Sequence, residues 1–84
     1  MNSQWYVYIL QCGDGSYYTG ITTDVYARLE VHKSGKGAKY TRGRGPLVLI
    51  YVETLVNRSE ALKREYAIKK LSKKHKTELI NKIP

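Results

Sequence analysis

Two tyrosines, an arginine, a histidine and a glutamate carry the chemistry this sequence offers: Tyr8, Tyr18, Arg28, His32 and Glu65. Glu65 is the sharpest signal. On a helical wheel of ~100° per residue starting at Ala61, Leu62, Ile68 and Leu71 define an apolar arc, and Glu65 falls at about 40°, inside it. A carboxylate there must be paired with a cation, bound to a metal or placed at the rim of the core. Structural ion pairs outnumber metal sites, so pairing with Lys69 or with an arginine of an earlier helix is the simpler expectation from this residue alone. Arg28 and His32 interrupt a second stripe, set by Val25 and Leu29. They lie at about −60° and −20° on that wheel, four residues apart and on one face. A guanidinium there can fork onto a phosphate or carboxylate. A lone histidine, with no cysteine or acidic cluster at ligand spacing, is no metal signature. A half-buried ring with a backbone partner is the plainer expectation for it.

These groups need elements to hold them. Residues 5–11, WYVYILQ, are apolar, aromatic and β-branched and predict a strand. Residues 16–22, SYYTGIT, predict a second, joined to the first through CGDG as a hairpin. A two-residue Asp14-Gly15 turn would set Tyr8 and Tyr18 on opposite faces. A three-residue turn, Gly13-Asp14-Gly15, pairs Cys12 with Ser16 and puts Tyr8 opposite Gly20, diagonal to Tyr18 on the same face. The three-residue or bulged turn is expected, since a glycine is available for the left-handed position. Gly20 inside a strand is costly unless something approaches closely. Asp24 reads as the N-cap of a helix to about Lys33. Residues 34–46, SGKGAKYTRGRGP, read as a mobile basic loop. Residues 47–53, LVLIYVE, are apolar on both alternating sets and predict a strand buried on both faces. Asn57 and Glu60 resemble a capping box opening a helix over about 58–72, and a last short helix covers roughly 74–82. The order ββαβαα predicts an α+β domain with a three-stranded antiparallel sheet flanked by helices.

The 84 residues are expected to form one domain, 1–84, with a small core and a surface groove as its site. Fifteen Lys and Arg against seven Asp and Glu leave a formal charge of +8, which points to a polyanionic partner, nucleic acid first. The single cysteine, Cys12, excludes an internal disulfide and a multi-cysteine zinc site. No apolar run is long enough to span a membrane, and no basic region precedes the first one as in a signal peptide, so a cytoplasmic location is expected. Eight Tyr and no Phe suggest that some phenol hydroxyls are needed.

Tyr6-Val7-Tyr8, followed by Tyr18-Thr19-Gly20, resembles the paired signature of the GIY-YIG nuclease domain. Arg28 and His32 on the next helix, then a basic loop, a strand and Glu65 in an ALKRE context, follow in the family's order. The resemblance runs from about Trp5 to Leu71 and is strongest to short stand-alone bacterial members. Tyr6 replaces the first motif's Gly and Thr19 the second motif's Ile, while both tyrosines and Gly20 are kept. Many members carry a separate DNA-binding domain, for which 84 residues leave no room.

The resemblance implies an endonuclease hydrolysing phosphodiesters, with DNA favoured over RNA as partner and a role in DNA repair or processing. It implies that Glu65 binds one Mg²⁺ or Mn²⁺, that Arg28 holds the scissile phosphate and that Tyr8 is the general base. Tyr18 would orient the water or phosphate, and His32 would relay a proton or hydrogen-bond the phosphate. A phenol with a pKa near ~10 needs nearby cations for that task. In the loop, Lys36, Lys39, Arg42 and Arg44 are expected to track the phosphate backbone, and Tyr40 to stack on an unpaired base. The basic run at 70–76 would extend the patch or serve only to keep the protein soluble. Two other readings stay open at this point: a non-catalytic nucleic-acid-binding module, and a nuclease subunit that depends on a protein partner. The catalytic reading requires Tyr8, Tyr18, Arg28 and Glu65 to converge on one shallow groove.

Overall fold

A computed structural model describes residues 4–82. Its elements run β1 (Trp5–Gln11), β2 (Tyr17–Thr22), α1 (Val25–Lys33), a short 3₁₀ turn (Lys39–Thr41), β3 (Val48–Leu55), α2 (Arg58–Lys69) and α3 (Lys73–Ile80). The expected ββαβαα order holds. The sheet is antiparallel with strand order β2-β1-β3.

β1 is therefore the central strand, and its two alternating sets feed two separate core layers. Tyr8 and Leu10 face one side, where they pack with Cys12, Val25, Leu29 and Leu47. Val7 and Ile9 face the other, against Ala61 and Ile68 of α2 and Leu79 and Ile80 of α3. Helices thus cover β1 on both faces, which is why an apolar run with no alternation is buried there. The same argument misassigned β3. It is an edge strand, and Val48 and Val52 are about half exposed. A register shift opposite Ile9 and Leu10 interrupts its alternation, so Val52 pairs with Tyr8 and Val48 with Gln11, on opposite faces of the strand.

The caps fall where the side chains dictate. Asp24 accepts the backbone N–H of Ala27 at 3.0 Å, and Asn57 accepts that of Glu60 at 2.8 Å. Ser72 caps α3 by accepting from the His75 N–H, so the first of the two expected helices ends at Lys69, short of about 72, and the second begins at Lys73. Arg64 of α2 grips Glu53 of β3 through Nε at 3.0 and 3.1 Å, fixing the helix's rotation against the sheet.

The hairpin turn is the three-residue form. Cys12 N–H donates to the Ser16 carbonyl at 2.8 Å, and Gly15 takes φ +86°. Residues 34–46, expected to be mobile, are instead tied down at several points. Thr41 is buried, Gly13 N–H donates to the Arg44 carbonyl at 2.6 Å, and the Arg44 guanidinium meets Asp14 at 2.6 Å. Composition missed this because the anchors are one threonine, backbone groups and an acid thirty positions away.

Candidate active site at the β2 edge

Register sets the site. With the three-residue turn, Tyr8 lies directly opposite Gly20 and diagonal to Tyr18. The Tyr8 ring crosses over Gly20 so closely that a Cβ there would stand 2.6 Å from Tyr8 Oη. The Tyr8 and Tyr18 ring centroids are 6.3 Å apart. His32, one turn beyond Arg28 on α1, points down onto both rings, at 5.9 Å from Tyr8 and 5.1 Å from Tyr18.

His32 is 1% exposed, and its partners are side chains, not the backbone group expected. Tyr8 Oη lies 2.8 Å from Nε2, and Thr41 Oγ1 lies 3.0 Å from Nδ1. The Thr41 hydroxyl donates its one proton to the Ala38 carbonyl at 2.9 Å. It must then accept from His32, so Nδ1 carries the ring proton and Nε2 is the bare acceptor facing the Tyr8 hydroxyl. Burial, and secondarily the Arg28 charge, push the His32 pKa below 6.5, which keeps the ring neutral. Gly37 lets this ring in, since a Cβ there would lie 2.3 Å from Nδ1. Thr41 and Gly37 were invisible to sequence reasoning; one threonine in KYTRG and one glycine between lysines give no periodic signal.

Burial first, then Tyr18, push Tyr8 up to about 12, with Glu65 adding to the rise and a hydrogen bond from Arg28 opposing it. Glu65 starts from the opposite layer, on α2, yet its carboxylate acts on Tyr8. Lys69, whose Nζ lies 3.4 Å from Glu65 Oε2, lines a cleft together with Tyr18, Thr19 and Tyr40. The pairing with Lys69 anticipated for a rim glutamate is present, and the side chain is 18% exposed.

Of the sequence-predicted residues, Tyr8, Tyr18 and His32 are in direct contact, while Arg28 and Glu65 act on Tyr8 through their charges. The basic loop divides. Lys36, Lys39 and Arg42 are exposed. Arg44 is held by Asp14 and lies 4.4 Å over the Tyr40 ring, while Tyr40 also stacks on Tyr18 at 6.1 Å. In this arrangement Arg44 and Tyr40 act first as the pins that hold the loop against the site.

Residues 4–79 match the GIY-YIG catalytic domain. This chain belongs to the GIY-YIG family. It is 54% identical over 80 residues to the UPF0213 protein OB0043 of Oceanobacillus iheyensis, covering 95% of this chain and 93% of that protein. The solution structure of the UPF0213 protein BH0048 from Bacillus halodurans is similar, with a TM-score of 0.60 and 53% identity over 92% of this chain and 82% of that one. That of the protein EF2693 from E. faecalis gives a TM-score of 0.64 and 47% identity over the same shares. The GIY-YIG family is a nuclease family, and membership points to nucleic acid as the class of partner. No helix among the described residues is long and apolar enough to cross a membrane.

Proposed function

We propose that this GIY-YIG chain is an endonuclease that hydrolyses phosphodiester bonds in nucleic acid, with DNA as the favoured polymer and a role in its repair or processing. One observation carries the reading: the Tyr8 hydroxyl lies 2.8 Å from Nε2 of the buried His32, and the Arg28 and Glu65 charges both act on it. A pure binding surface has no use for a buried proton acceptor or for an acid beside it.

With its pKa pushed up to about 12, Tyr8 does not act as a ready-made phenolate. It acts as a relay. Its oxygen takes a proton from the attacking water as its own proton passes to His32 Nε2. The hydroxide formed attacks phosphorus, the departing oxygen leaves and takes a proton from solvent, and His32 later returns its proton. Arg28 forks onto the non-bridging oxygens where charge builds up. Tyr18, packed on both rings, holds the water or phosphate in line.

Glu65 is the residue that would hold a divalent cation. A single half-buried carboxylate that already attracts an ammonium suits Mg²⁺ or Mn²⁺, which keep several waters and take other oxygens from substrate. No group of three or more His, Cys, Asp or Glu side chains occurs among the described residues, so a zinc site built from such side chains does not fit here. When bound, the cation supplies Lewis acidity at the departing oxygen. The test is nicking of supercoiled plasmid and of branched duplexes with Mg²⁺ or Mn²⁺. Metal-dependent nicking supports the proposal, and its absence across duplex, branched and single-stranded substrates overturns it.

A further inference from the structure

We infer that the cleft beyond Tyr18 is a second phosphate position, which takes the nucleotide next to the scissile phosphodiester through Lys76 and Lys69. The inference rests on the nuclease reading and extends it to how the strand runs across the molecule.

The cleft has a volume of about 280 Å³ and lies where β2, the 3₁₀ turn, α2 and α3 meet. Its walls are Tyr17, Tyr18 and Thr19, with Tyr40, Lys69 and Lys76, so it holds two ammonium groups, aromatic surface and no carboxylate of its own. Lys76 is half-buried, yet no acceptor partners its ammonium among the described residues. A partly desolvated cation without a counter-ion is unfavourable alone and is relieved by an anion. Lys69 spends one contact on Glu65 at 3.4 Å and has donors left, since an ammonium carries three. Thr19 on the wall bears the only buried side-chain polar atom without a hydrogen-bond partner among the described residues.

The cleft's position sets its occupant. Tyr18 is shared: its ring borders the cleft on one side and stands 6.3 Å from the Tyr8 ring on the other. A strand with its scissile phosphate at Arg28 and Tyr8 therefore places a neighbouring phosphate at Lys76, with its base against Tyr40 or Tyr18. Hydrogen bonds secure the floor. Tyr17 Oη meets Thr77 Oγ1 at 3.1 Å, and Lys73 Nζ donates to the Gly15 carbonyl at 2.7 Å, so α3 is docked where the lysine is needed.

The experiment is anisotropy titration of labelled oligodeoxythymidylate in EDTA over a series of salt concentrations, with wild type, Lys76→Gln, the Lys69→Gln/Lys76→Gln pair, and Lys63→Gln as a control on exposed α2 surface. The expected result is that the slope of log affinity against log salt shrinks by about 0.7 for each cleft lysine removed and is unchanged in the control. Unfolding midpoints are read alongside, and a midpoint equal to wild type assigns the change to binding. Unchanged slopes in the cleft variants overturn the inference. So does inorganic phosphate that shifts the amide resonances of the cleft residues equally with and without saturating oligonucleotide, since the position would then serve free phosphate. Nicking by the wild type in Mn²⁺ is scored separately. Nicking with unchanged slopes sinks the cleft alone, and reduced slopes without nicking keep the cleft and sink the nuclease reading.

Discussion

Tyr8 and Gly20 are cross-strand partners, and the phenol of one occupies the space where a side chain of the other would begin. A strand glycine forfeits packing and backbone rigidity, and here that cost is offset by letting Tyr8 lie flat across β2 toward His32. Gly20→Ala would put a methyl carbon 2.6 Å from Tyr8 Oη and 2.7 Å from its Cζ. Neither atom is free to yield, because the ring is buried and hydrogen-bonded. The variant should be destabilised by about 1–3 kcal/mol in urea unfolding and should lose nicking as Tyr8→Phe does. Wild-type stability and activity would show that the close approach is unimportant.

Thr41 should govern which nitrogen of His32 carries the proton. Thr41→Val keeps the shape and removes the acceptor at Nδ1, leaving a buried N–H without a partner at a cost of about 1–3 kcal/mol. Nitrogen-15 NMR of His32 should report the Nδ1–H form in wild type and a mixed or reversed tautomer in the variant, with slower nicking. A wild-type tautomer in Thr41→Val would remove Thr41 from the relay.

His32 makes stability depend on pH with a definite sign. Its folded pKa lies below 6.5 because burial, then Arg28, disfavours the cation. Between the folded and unfolded values the unfolded chain binds more protons, so stability is complete above about 6.5 and is lost as pH falls through the folded value. Unfolding midpoints should drop on acidification below about 6.5, and His32→Gln should flatten that limb. Nicking should follow the same group, rising to a plateau once His32 is neutral. A rate that instead climbs on toward the Tyr8 pKa of about 12 would mean that the phenolate is the base.

Asp14 gives a second, more acidic signature. Hydrogen bonds from the Ser16 hydroxyl and backbone N–H, then the Arg44 guanidinium, hold its carboxyl at about 2. A depressed carboxylate contributes stability above its ordinary value near ~3.9 that is lost as pH falls through about 2. NMR titration should find Asp14 raised more by Ser16→Ala than by Arg44→Gln, because the hydroxyl contact is the larger cause. The reverse order would make the loop pin chiefly electrostatic.

What could be read in advance divides along physical lines. Local chemistry was legible: the Asp24 and Asn57 caps, the glycine-bearing turn and the register that follows from it are decided within a few residues. Glu65 was legible because a carboxylate inside an apolar arc demands a reason. The partners of His32 were not, since Thr41 reaches it through a chain excursion without periodicity, and the ring's burial is created by Gly37 folding over it. β3 was misread as fully buried because an apolar run looks alike in a central strand and in an edge strand broken by a bulge. The basic loop was misread as mobile because charge and glycine content are blind to a buried threonine and to an Asp14–Arg44 pair formed across the fold.

The central claim is that Tyr8, His32 and Glu65 form one hydrolytic site in this GIY-YIG chain. The most direct measurement compares initial plasmid-nicking rates of wild type, Tyr8→Phe and Glu65→Gln in Mg²⁺ or Mn²⁺, with DNA affinity in EDTA measured for each. Nicking by wild type, lost in both variants while affinity stays within about twofold, is the predicted result, since neither group is asked to supply the phosphate-backbone attraction. Equal residual nicking in all three proteins would contradict it.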